Sequence, residues 1–239
     1  MKPSKFNHAW QVDADEAIQI QLELASVVEE RNRMSDEIRY VAGVDVAYRK
    51  RDNRVYAGVV ILDSETLEVI ESRTVVGESR FPYIPGLFAF REVPHLLQAF
   101  KNVERVPDLV ICDGQGIAHP RRCGLASHLG VLLDVPTIGC GKTRHIGEFS
   151  EPDMSRGSFS PLVEGEETIG SVLRTQDGIK PLFVSIGHRV SLPSARDWIL
   201  RLANRYRQPE PIRCANEVVN KLRSSSQRTY RNKQCDRSD

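Results

Sequence analysis

The stretch Asp108-Leu-Val-Ile-Cys-Asp-Gly-Gln-Gly-Ile-Ala-His-Pro-Arg-Arg-Cys-Gly124 decides how this chain folds. Its apolar run, residues 109–112, reads as a buried strand that ends at an acid, Asp113. Gly114 and Gly116 follow, and glycine lets a backbone bend sharply or approach a ligand closely. His119, Arg121 and Arg122 come next. A helix over 124–133 and a strand over 136–140 then complete a strand, helix, strand unit, which requires its two strands to be parallel. Groups just past the carboxyl end of a strand line the usual ligand crevice of an open α/β sheet. An acid, a glycine loop, a histidine and two arginines there suit a polyanion and a metal. An ordinary strand-to-helix loop with an acidic cap and solvated arginines is the competing reading.

Upstream, Ala14, Ala17, Ile18, Gln21, Leu24, Ala25 and Val28 follow the helical period, with Asp13 as N-cap and Arg31 and Arg33 near the C-terminal end. Three strand-like runs come next, at 40–48, 55–62 and 67–76. The turn residues Asp52-Asn53 and Asp63-Ser64 join them, so the three form an antiparallel meander. Asp45 lies in the first strand between Val44 and Val46, on the face opposite both valines. A carboxylate there is costly to bury unless it is paired or binds a cation.

After the meander, Arg80-Phe-Pro-Tyr-Ile-Pro-Gly-Leu-Phe-Ala-Phe-Arg-Glu-Val-Pro94 is more apolar than a loop requires. Pro82 and Pro85 stiffen a projection carrying Tyr83 and Ile84. Such a projection could wedge into a base stack, or its aromatics could be core under a loop. Beyond Gly86 the residues read as helical and carry Glu92, with Pro94 restarting the helix through Phe100. Residues 139–143, Gly-Cys-Gly-Lys-Thr, do not form a phosphate loop, because Pro136 stands where that motif requires glycine. Lys142 nevertheless places an ammonium at a strand's carboxyl edge. Residues 148–167 read as loop, 168–174 and 181–186 as strands, and His188 as a hydrogen-bonded structural histidine. A helix capped by Ser194 runs through Arg207, and a last helix spans 213–222. The polar remainder has no apolar period, so the expected organisation is one domain over 1–223 and a disordered tail over 224–239.

Composition narrows the class. With 40% hydrophobic and 27% charged residues the chain reads as a soluble protein. No run approaches the roughly 20 apolar residues of a membrane span. The first residues carry no apolar leader, so a cytoplasmic location is expected. Five cysteines, an odd number without a Cys-x-x-Cys pair, indicate neither a zinc site nor a disulfide framework. A net charge of +1 means that any nucleic acid must be held by a local basic patch.

Several blocks in one order resemble the endonuclease V family. They are Val41-Ala-Gly-Val-Asp45, Phe81-Pro-Tyr-Ile-Pro-Gly86 with Phe90-Arg-Glu92, Asp113-Gly-Gln-Gly-Ile-Ala-His-Pro120, Gly124-Leu-Ala-Ser-His128, and Pro136-Thr-Ile-Gly139 with Lys142. Ile186-Gly-His-Arg189 and Pro209-Glu-Pro211 match further on. The resemblance implies a ribonuclease-H-like mixed sheet, a three-strand antiparallel meander plus parallel strands, with flanking helices. It implies a metal-dependent endonuclease that recognises deoxyinosine and other deaminated bases in DNA and cuts on the 3′ side, leaving a 3′-hydroxyl and a 5′-phosphate.

By the same resemblance Asp45, Glu92 and Asp113 would bind Mg²⁺, for which Mn²⁺ can substitute. His119 and Lys142 would be the basic groups at the scissile phosphate. Tyr83 would tip a wedge made with Pro82, Ile84 and Pro85, and Gly86, Phe88, Gly114, Gly124 and Leu125 would line the pocket for a flipped hypoxanthine. Asn216 stands where the family commonly carries His or Asp, and a neutral amide is a weaker ligand. His145 stands where an apolar residue is commoner. A monomer without membrane contact is expected. The alternatives are an endoribonuclease acting on inosine in RNA, and a protein that binds hypoxanthine without cutting. Burying three like charges has no use without a cation, which speaks against the second.

Overall fold

The computed structural model describes residues 6–49 and 52–235, and side chains as far as Ser226. Among these residues the elements in chain order are α1 (Ala14–Ser26), β1 (Tyr40–Tyr48), β2 (Arg54–Asp63), β3 (Val69–Glu78), α2 (Ala89–Phe100), β4 (Leu109–Cys112), α3 (Leu125–Leu133), β5 (Thr137–Gly141), β6 (Phe159–Glu164), β7 (Glu167–Leu173), β8 (Leu182–His188), α4 (Leu192–Leu202) and α5 (Glu210–Cys235). One eight-stranded sheet runs β3-β2-β1-β4-β5-β8-β7-β6. The meander β1-β2-β3 is antiparallel, as its short turns demand. β1, β4 and β5 are parallel, and β5-β8-β7-β6 are antiparallel again. This is the mixed α/β architecture that the sequence predicts.

Helices cover both faces. α2 and α3 lie on one, where Val93, Leu96, Ala126 and Leu129 pack on Ala42, Val44, Val59 and Val110. α4 and α5 lie on the other: Ala195 and Ile199 meet Ile138, Val184 and Ile186, while Cys214 and Ala215 meet Val60 and Leu62. β2 is buried along almost its whole length because both of its faces are covered. α1 packs outside this sandwich, and its start is set by Asp13, which accepts from the backbone N–H groups of Asp15 and Glu16 in a capping box completed by Glu16.

Several expected boundaries move. α1 stops at Ser26 because the following segment is drawn onto β8: Arg189 N–H donates to Glu29 O, and Glu29 N–H donates to Nδ1 of His188. Pro94 does not restart α2; it sits inside a continuous helix, where it removes one backbone bond from an element held by the burial of Phe90, Val93, Leu96 and Phe100. α4 is capped by Ser191, not Ser194, with Pro193 in its first turn, and it ends at Leu202, short of Arg207. Residues 159–164, expected to be loop, form β6, an edge strand that tolerates Pro161. α5 begins at Glu210 and continues past Leu222 to Cys235. Leu222 closes the apolar period, so periodicity carried no signal for the polar extension. Residues 236–239 of the expected tail lie outside the described residues.

α5 reaches the sheet through glycine. A Cβ on Gly43 of β1 would lie 2.0 Å from the carbonyl oxygen of Pro211, which fixes the distance between that strand and the start of α5. The substitution Gly43→Ala is expected to destabilise the protein by about 3 kcal/mol, the upper end of the range for overpacking, because the obstacle is backbone and cannot rotate away. A urea titration checks this, and an unchanged midpoint would mean that α5 is free to shift.

Candidate active site

Asp45, Glu92 and Asp113 come from three different elements. Asp45 lies one residue beyond the last residue of β1 paired with β4, which is Val44 opposite Cys112. Period 2 puts it on the same face as Gly43, hence toward α5, where the Asn216 amide donates to its Oδ2 at 2.8 Å. Asp113 follows the last residue of β4 directly, and Lys142, just past β5, places Nζ 2.5 Å from its Oδ2. Glu92 enters from the first turn of α2 and accepts from the Tyr48 hydroxyl at 3.1 Å. Asp45, Asp113 and the ammonium of Lys142 therefore lie along or just past the central parallel strands β1, β4 and β5, and α2 adds Glu92 to them.

These acids repel one another. Burial first, and then the nearby Asp113, push Asp45 up to about 6 against the opposing hydrogen bond from Asn216. Burial, followed by the charges of Asp45 and Asp113, pushes Glu92 up to about 8 against the opposing bond from Tyr48. Among the described residues no three His, Cys, Asp or Glu side chains close around one point as a ready metal cage. Each acid instead holds a donor of its own: Lys142, Asn216 or Tyr48. The donor set is all oxygen and short of positive charge, which is the chemistry that suits a hard divalent cation.

Beside the acids lies a cavity of about 240 Å³ lined by Gln21, Gly86, Phe88, Ala89, Glu92, Asp113, Gly114, Gln115, His119, Gly124, Leu125 and His145. All five residues expected to form a base pocket are among them, and so are two of the three acids. Tyr83 stands at the outer side, 68% exposed, with its ring edge-on to Phe88 at 4.6 Å between centroids. Pro82 and Pro85 are exposed, whereas Ile84 turns inward and packs with Phe81, Leu87 and Phe90. The projection is thus an exposed tyrosine on an anchored base.

His119 differs from its expected character as a basic group. It is buried, its Nε2 donates to Gly86 O at 2.9 Å, and its Nδ1 accepts from the Arg121 backbone N–H at 3.2 Å. Burial, helped by the Arg121 charge and by His145 stacked at 5.5 Å, pushes it down to about 4, so it is neutral at physiological pH. Both ring nitrogens are engaged in the cavity wall.

Two contributors escaped the sequence reading. Tyr48 closes β1 without any pattern that points at Glu92. Gln21 left a signal: it is a polar residue at a core position of the apolar period of α1, and such a position asks for buried partners. Its partners are Gly86, Cys123 and Arg121.

Fold and site together define a ribonuclease-H-like α/β protein whose carboxylates gather at the ends of its parallel strands. Residues 22–217 match the family described as Endonuclease V. The chain belongs to that family and is a nuclease. The Endonuclease V of Nostoc punctiforme is 44% identical over 213 residues, 89% of this chain and 96% of that protein. The crystal structure of the Endonuclease V from Streptomyces avermitilis matches with a TM-score of 0.86 at 42% identity, covering 95% of this chain and 100% of that one. Ciona intestinalis Endonuclease V, in complex with a 24mer DNA containing an inosine followed by a ribo-adenosine, matches with a TM-score of 0.77 at 27% identity over 88% of this chain and 98% of that one.

The raised acids have a consequence for stability. A carboxyl that holds its proton more tightly in the folded state contributes stability below the ordinary carboxylate range, and that contribution is lost as pH rises through the folded value. For Glu92 the loss extends to about pH 8. Glu92→Gln keeps an acceptor for Tyr48 and removes the titration, so in chelator the variant is expected to melt above the wild type by a margin that grows from about pH 5 to about pH 8. A margin that shrinks over this window would overturn the assignment of Glu92 as a protonated, desolvated acid.

Proposed function

We propose that this nuclease is a metal-dependent endonuclease that recognises hypoxanthine in DNA and hydrolyses a phosphodiester bond on the 3′ side of the lesion, leaving a 3′-hydroxyl and a 5′-phosphate. One observation carries the reading: the glycine-walled cavity and the acids share a lining, with an exposed tyrosine at the outer side. An extruded base could enter the cavity only if its strand ran past Asp113 and Lys142. The DNA complex of the Ciona intestinalis relative supports the choice of ligand.

Asp45, Glu92 and Asp113 would hold the cation. When bound, Mg²⁺ or Mn²⁺ would supply Lewis-acid stabilisation of charge on the phosphate and increase the acidity of a water. The chain's own groups do the rest. Lys142 presents its ammonium where phosphate charge develops, and its pairing with Asp113 sets that position before substrate arrives. Tyr48 and Asn216 orient Glu92 and Asp45. Neutral His119 holds the Gly86 carbonyl and leaves proton transfer to other groups. Tyr83 would fill the gap that the base leaves in the stack, recovering part of the few kcal/mol that extrusion costs.

The ribonucleotide beside inosine in the Ciona complex favours RNA as a second substrate to be tested. Matched DNA and RNA oligonucleotides with one inosine, incubated with Mg²⁺, Mn²⁺ or chelator, are expected to be cut only with metal and only beside inosine. End-labelling then maps the cut and its termini. Asp45→Ala and Asp113→Ala are expected to abolish cutting while leaving the protein folded; cleavage by either at the wild-type rate would overturn the metal assignment.

Tyr83→Ala is expected to weaken binding to inosine-containing duplex by about 1–3 kcal/mol, and to matter less on single strands, where less stacking is lost. Equal losses on both substrates would make Tyr83 a general contact.

A further inference from the structure

Gln21 is wholly buried, and a side-chain amide without partners in such a place would be costly. Its bonds span the cavity. Nε2 donates to Gly86 O and to Cys123 O, each at 3.0 Å, and Oε1 accepts from Nε of Arg121 at 2.6 Å. Gly86 belongs to the wall that carries Phe88 and leads back to Tyr83. Cys123 precedes Gly124 and Leu125, the start of α3 and the opposite wall. One amide nitrogen therefore ties the two walls together, from a helix that contributes nothing else to the lining.

The Gly86 carbonyl is held by more than Gln21. It also accepts from His119 Nε2 at 2.9 Å and from Nη2 of Arg121 at 2.8 Å, so three donors converge on one oxygen. Gly86 has φ +77°, in the region that favours glycine, and a Cβ there would lie 2.8 Å from Nη2 of Arg121. The peptide at the cavity wall is thus fixed in an unusual backbone conformation by a charged, fully engaged network. Arg121 braces the amide and the carbonyl together, which removes the freedom of Gln21 to rotate.

We propose that Gln21 is a specificity-determining positioning residue: it sets the separation and orientation of the two glycine walls, and thereby which base the cavity accepts. This rests on the reading of the cavity as the seat of an extruded hypoxanthine. Discrimination between bases of similar size depends on polar groups held at fixed positions, since a wall that can shift will satisfy the wrong base as well as the right one. Gln21 touches the walls and acts on the base through them.

The test is a ratio. Binding to single-stranded oligonucleotides carrying one inosine or one adenosine at the same position is measured by fluorescence anisotropy in chelator, so that neither metal nor the tyrosine wedge in a duplex enters. Wild type is expected to prefer inosine. Gln21→Met, similar in length and without hydrogen bonds, is expected to lose at least about tenfold of that preference, the scale of one or two buried hydrogen bonds. Gln21→Glu keeps the acceptor for Arg121 and loses the amide donors. Its preference is expected to fall near pH 8 and to recover in part at lower pH, where a protonated carboxyl can donate again; the wild-type ratio is the control at each pH.

Thermal melts report folding, and should Gln21→Met fail to fold, the pH response of Gln21→Glu decides. A wild type that prefers inosine, with folded variants that keep the full preference at every pH, would overturn the clamp and leave the cavity reading standing. A wild type without preference would overturn both.

Discussion

Like charges gathered at one edge of the sheet are the constraint on which the rest of this structure depends. Asp45, Glu92 and Asp113 arrive from β1, α2 and the end of β4, and burial with mutual repulsion raises the first two. A folded protein keeps such a cluster only when each acid is given a partner. Lys142, Asn216 and Tyr48 provide them, and they come from the end of β5, from α5 and from the end of β1. The helices on both faces of the sheet are thereby tied to the same edge.

A second constraint is the close approach of backbone to backbone. Gly43 lets Pro211 of α5 settle on β1, which brings Asn216 to Asp45. Gly116 lets the loop after β4 pass against β8, where a Cβ would lie 1.9 Å from Ile186 O, and its N–H donates to the Ser185 hydroxyl at 2.8 Å. That contact stiffens the segment between Asp113 and His119, one wall of the cavity. The cavity is consequently built from peptide groups with fixed positions, and its neutral histidine and engaged glutamine hold those positions.

The parts of the molecule with local causes were legible in the chain. The apolar run before Asp113, the turns between the meander strands, and the N-cap Asp13 lead to β4, to β1-β2-β3 and to α1 through interactions among near neighbours. One error fell where a distant segment intervenes: α1 ends early because Glu29 bonds to His188 at the end of β8, 159 positions away. β6 is the exception among the local features, since it pairs with β7 across the turn Gly165-Glu166, with Glu164 opposite Glu167, and the Ser, Pro, Gly and acid content of 148–167 masked a hairpin of near neighbours.

The chain by itself determined the mixed α/β class, the alternation that turns Asp45 away from the apolar face shared by Val44 and Val46, and the set of acids, glycines and lysine available for chemistry. Tertiary structure alone decided which of them meet. Asn216 reaches Asp45 across 171 positions and Gln21 reaches Cys123 across 102. It also decided their ionisation: His119 is uncharged because burial makes a charge expensive, and Glu92 holds its proton because it is buried and, to a lesser degree, because two other acids share its surroundings. Residue type specifies what a group can do in water. Only packing specifies the dielectric and the neighbours that select which of those states it adopts.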